Sequence, residues 1–138
     1  MSTITLTLTD NTASYAFSGS VVYGTGGYVQ RLNQFQIPLS DGTDVVYDGG
    51  PNIVKWELLV KNVSISEGLG LEAFLKDTLF FAKKTFSITG IPHINLGNGL
   101  GESVQGARYD GGASSQGLLA LAPPGIYSVN FSYKFKEG

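Results

Sequence analysis

The chain has no cysteine among its 138 residues, a single histidine and a single tryptophan. Without cysteine there is no disulfide framework, no thiolate metal site and no cysteine nucleophile. This fits folding in a reducing compartment without requiring one. Charge is also scarce. Asp, Glu, Lys and Arg make up 14% of the chain, against about 25% in an average domain. The net charge of -2 supplies no field to recruit nucleic acid or an acidic membrane. No run approaches the roughly 18 apolar residues of a spanning helix, so no membrane partner is expected. The opening MSTITLTLTD lacks a basic, then apolar, leader pattern, so no export signal is expected.

What is present is apolar, glycine-rich and polar without charge. Hydrophobic residues are 42% and glycines number 19. Length and composition predict one domain spanning residues 1–138 with its own core. A surface of Ser, Thr, Asn and Gln repels neighbours weakly. It suits a chain that packs against copies of itself, or a secreted or virion surface.

Period-2 alternation dominates. Ile4, Leu6 and Leu8 alternate with threonines, and the Asp10-Asn11 turn leads to Tyr15 and Phe17 as a returning strand. Phe35, Ile37 and Leu39 alternate with Gln34, Gln36 and Pro38, and the proline marks an edge or a strand end. Val54, Trp56, Leu58 and Val60 share one face, which places Trp56 in the core. Val63 and Ile65 continue the pattern past a bulge expected at Asn62. Tyr127, Val129, Phe131, Tyr133 and Phe135 form the closing strand. The period changes once: Leu71, Phe74, Leu75, Leu79 and Ala82 fall at helical spacing. They predict a helix over about residues 70–82, capped near Ser66 or the Glu67-Gly68 turn. The expected fold is mainly β, a β-sandwich or split barrel of about seven to nine strands with one packed helix. Long glycine-rich loops are expected over 40–51 and 96–117.

No constellation carries an evident chemistry. The stretch LGNGLGESVQGARYDGG, residues 96–112, holds six glycines. A phosphate loop needs Lys and Ser/Thr after its last glycine, and here Glu102 follows Gly101. A dinucleotide fingerprint needs a following helix, and none is patterned there. His93 has no serine in a nucleophile-elbow context. Asp41, Asp44 and Asp48 do not match a calcium-loop spacing and read as turn residues. No enzyme, cofactor or metal site is therefore expected. Tyr23, Tyr28, Tyr47 and Tyr109 lie in or near expected loops, where they suit contact with a ligand or partner.

The order of KWELLVKNVSI, then LEAFLKDTLFFAKK, then TFSITG, a long loop and PPGIYSVNFSYKF resembles the tail-tube and distal-tail (baseplate) proteins of long-tailed bacteriophages. The resemblance covers about residues 50–138. It implies a β-sandwich or split barrel flanked by one helix, with loops or hairpins that link neighbouring subunits. It implies a virion structural protein made in the host cytoplasm. Such a protein forms a homo-oligomeric ring, typically hexameric, with other tail proteins as partners and a channel that passes DNA without specific binding. The 96–117 loop would then be an assembly arm, with Val104, Arg108, Tyr109, Leu118 and Leu119 as subunit-contact candidates. The alternative reading is a carbohydrate-binding β-sandwich or receptor-binding virion protein, suggested by the loop tyrosines and the Asp/Gly-rich turns.

Overall fold

The structure, a computed structural model, describes residues 2–22, 26–93, 101–122 and 126–136. Strands β1 (Ser2–Leu8) and β2 (Ser14–Val21) form the hairpin expected from the Asp10-Asn11 turn. There Asn11 adopts a φ of 61°. After β2 come β3 (Gly26–Arg31), β4 (Gln34–Pro38), β5 (Asp44–Asp48) and β6 (Asn52–Val63). Helix α1 (Ile65–Asp77) precedes β7 (Phe86–His93), β8 (Gly101–Tyr109), β9 (Leu119–Ala122) and β10 (Ile126–Lys136). Ten described strands exceed the expected seven to nine, because residues 44–48 and 101–109 are strands where loops were expected.

The ladder runs β6-β2-β1-β7-β8-β10, and β10 pairs back onto β6. Six antiparallel strands therefore close into a barrel, which removes the free edges an open sheet would expose. β3 continues along β6 beside β2, and β9 lies against β10. β4 and β5 form a separate two-stranded sheet.

Alternation in the sequence becomes inside and outside in the barrel. Ile4, Leu6, Val54, Leu58, Val60, Ile88, Phe131 and Tyr133 are buried, and so is Trp56. Rings meet at the centre: Phe86 stands edge-on to Phe131 at 5.8 Å, and Tyr109 lies 5.5 Å from Phe131. Asn62 is a bulge, as its position in the pattern predicts. Val60 pairs with Val129 and Val63 with Tyr127, so β6 carries one extra residue, and Asn62 has φ 62°.

The helix is shifted toward the N-terminus relative to the 70–82 expectation. Its cap is Ser64, whose hydroxyl accepts from the Glu67 N–H at 3.2 Å. The Glu67 carboxylate returns to the Ser64 hydroxyl and accepts from the Ser18 N–H. Ile65 is thus the first helical residue and is exposed, not a strand continuation. Leu71, Phe74, Leu75 and Leu79 are buried as expected. The helix stops at Asp77 because Phe80 and Phe81 turn left-handed, with φ of 51° and 59°. Ala82, expected on the buried face, lies beyond that turn and is exposed.

Candidate functional site

The glycine stretch is not the expected loop in its described part. Residues 101–109 are β8, paired with β7 and β10. Its apolar pattern is out of phase because Val104 pairs with Ile88 while Ala107 pairs with Phe86. One extra residue is accommodated at Gly106, φ 67°, as a glycine bulge allows. Val104 and Tyr109 both point into the core. Burial raises the Tyr109 hydroxyl above the usual phenol range; the hydroxyl donates to the Ser114 carbonyl at 2.8 Å. Leu118 is buried and Leu119 half-buried against the same core. Arg108 is exposed, and its guanidinium donates to the carbonyls of Ala82 and Lys83 at 2.9 and 3.0 Å. It thereby holds the turn after α1. The candidate contact residues are spent within their own chain: four pack in or on its core, and the fifth fixes a turn.

Residues 94–100 and Tyr23 lie outside the described residues, as does the His93 side chain. Asp41 accepts from the Thr43 hydroxyl at 2.6 Å and the Thr43 N–H at 3.0 Å. These bonds, the hydroxyl's first, hold its carboxyl below the usual range. Asp48 pairs with Arg31 at 3.0 Å. Asp41 thus serves the tip turn, as turn chemistry predicts, whereas Asp44 and Asp48 are the first and last residues of strand β5 rather than turn residues.

That hairpin is what the structure adds. β3 runs through Leu32-Asn33 into β4, and β5 runs through Gly49-Gly50-Pro51 into β6. The two halves form one ribbon with a kink between them. The kink is fixed by Leu32 N–H to the Pro51 carbonyl (3.0 Å), by Gly49 N–H to the Asn33 carbonyl (3.3 Å) and by Arg31 to the Gly50 carbonyl (3.1 Å). Gly50 is required there, since a Cβ would stand 1.9 Å from the Leu32 carbonyl oxygen. At the far end, the Leu39 N–H donates to the Thr43 carbonyl at 2.7 Å and closes the tip.

Register sorts the hairpin into two faces. Phe35 opposes Tyr47 and Ile37 opposes Val45 on one face; Gln34, Gln36, Asp44 and Asp48 lie on the other with Val46. Among the described residues nothing covers the apolar face. Phe35 is 55% exposed, Tyr47 49% and Leu39 45%, and the rings of Phe35 and Tyr47 stack at 4.9 Å. Single exposed apolar residues are ordinary, but a contiguous group on a projecting hairpin marks a contact surface. Tyr28 and Tyr47, expected in loops, are on strands and exposed; Tyr109 is not available.

The arm was partly visible in the sequence: two alternating runs flank SDGT, and glycines stand at its base. The pairing of Val45 and Tyr47 with Ile37 and Phe35 is what joins the two runs into one hairpin.

No helix among the described residues is long and apolar enough to cross a membrane. No family model matches the chain, and no curated protein matches it.

Proposed function

We propose that this chain is a structural subunit that assembles with copies of itself, as a ring or tube in the tail or baseplate of a long-tailed phage. The observation that carries the reading is the β4–β5 arm, whose face of Phe35, Ile37, Leu39 and Tyr47 is exposed, uncovered by any other described residues. An isolated two-stranded hairpin is marginal in water. Here it is pinned at the base by an ion pair and at the tip by an Asx turn. A preorganised arm loses less entropy on docking than a loose loop would. The barrel supplies the rigid body that such an arm needs. In this reading the assembly element is residues 34–48 rather than 96–117. The phage tail setting, the other tail proteins as partners and a lumen that passes DNA follow from the resemblance in strand and helix order.

Light scattering across a concentration series, with negative-stain imaging, tests the reading. Discrete rings or tubes are expected, and a monomer at every concentration would overturn it.

A further inference from the structure

The barrel's outer face carries an imbalance of its own. Register places Arg108 of β8 opposite Lys134 of β10, and Lys134 opposite Lys55 of β6. Three cations thus occupy one cross-strand row, and Lys136 lies two residues further on the same face. Like charges directly opposite one another are destabilising. Local relief is limited. Asp110 stands 3.8 Å from Lys134, and Arg108 donates to two backbone carbonyls. Glu57, on the same face, accepts from the Asn130 amide at 3.0 Å. Beside the row is an open cleft of about 370 Å³, lined by the apolar Pro51 and Ile53 and by Arg108, Lys134 and Lys136, with Phe135 at its floor and its ring buried in the core. None of residues 34–48 lines it.

The arm has the opposite character. From Leu32 to Val54 the chain carries three acids, Asp41, Asp44 and Asp48, and no Lys or Arg. Asp48 is paired at the base, which leaves Asp41 and Asp44 at and beside the tip. An apolar hairpin with an acidic tip matches an apolar cleft with a basic rim. We infer that the cleft beside the Arg108–Lys134–Lys55 row receives the β4–β5 arm of a second copy. The inference rests on the self-assembly reading above and names the receptor for its arm. The surfaces that meet are different patches, so the contact is head-to-tail. It generates a ring if the rotation closes and a filament if it does not. A polyanion such as DNA would also be drawn to the row, but the apolar Pro51 and Ile53 in the cleft favour a peptide segment.

The absence of cysteine makes a direct test available. Ser40→Cys at the arm tip and Lys136→Cys at the cleft rim are mixed as separate variants and oxidised. The expected main product is the mixed disulfide. Predominant Ser40→Cys homodimers would show arm meeting arm and overturn the inference. Assembly without either cross-link would also overturn it, while leaving self-assembly intact. A wild-type chain that stays monomeric overturns self-assembly itself, so the two failures are distinguishable. In parallel, Lys134→Glu/Lys136→Glu and Asp44→Lys, each checked for a native far-UV spectrum, are expected to raise the assembly concentration at least tenfold. Mixing the two should restore it. Unchanged assembly of Lys134→Glu/Lys136→Glu, with loss of retention on a DNA column, would make the row a nucleic-acid surface and overturn the inference.

Discussion

Tyr133 sits at zero exposure inside the barrel, and burial drives its phenol far above the ordinary range. Burial also raises Tyr109, and burial with the nearby Glu67 charge raises Tyr15. The sign follows from linkage. Above the ordinary tyrosine value, near pH 10, the unfolded chain releases protons that the folded chain keeps. Stability from these groups is therefore whole below about pH 10 and falls as pH rises. For Tyr133 the slope is about 1.4 kcal/mol per pH unit. Urea midpoints measured from pH 7 to 11 should be flat to about pH 9 and then drop, with tyrosinate absorbance appearing in step with unfolding. Legibility also divides at single residues. Asn62 was readable because Val60 and Val63 frame it within a strong pattern. Gly106 was hidden because its bulge puts Val104 and Ala107 on one face three residues apart, which resembles no strand. Phe80 and Phe81 gave no stop signal, since bulky residues with positive φ are rare; Phe81 packs against the core beside Tyr109, while Phe80 stays exposed.

Helix α1 shows how a boundary is displaced at the scale of elements. Its apolar stripe was legible, but Ser64-x-x-Glu67, with the sequence signature of a capping box, sits inside what reads as strand alternation through Ile65. Ser64→Ala should cost about 1 kcal/mol, measured by chemical denaturation, with the barrel's near-UV signal unchanged at low denaturant. The arm is the other informative element. Its strands were half legible, because a two-stranded hairpin with no core behind it offers little apolar pattern on β5. Phe35→Ser/Tyr47→Ser removes exposed rings, so the melting curve of the barrel should move little, within the range of about 0.5 kcal/mol usual for surface changes. Self-association should weaken at least tenfold by sedimentation. A large loss of stability with unaltered association would show the rings serving the fold instead.

Over the whole molecule, the mainly β fold with one helix was legible because strands buried on one face write period 2 into the chain. Barrel closure was not, because it depends on β6 meeting β10 across more than sixty intervening residues in sequence. That closure decides which segment can be an assembly element. Removing residues 98–114 takes out β8, which bridges β7 and β10, so the domain should unfold. Residues 34–48 can be replaced by an Asn-Gly turn, because Asn33 and Gly49 are already bonded to each other at the base. Arm-driven self-assembly is tested most directly by the mass of the wild-type chain and of this arm-less variant, by light scattering over the same concentrations. Discrete oligomers are expected for the wild type, and a monomer with a native spectrum and unchanged melting for the variant. Equal assembly of both, or a wild-type chain that never leaves the monomer, would contradict arm-driven self-assembly.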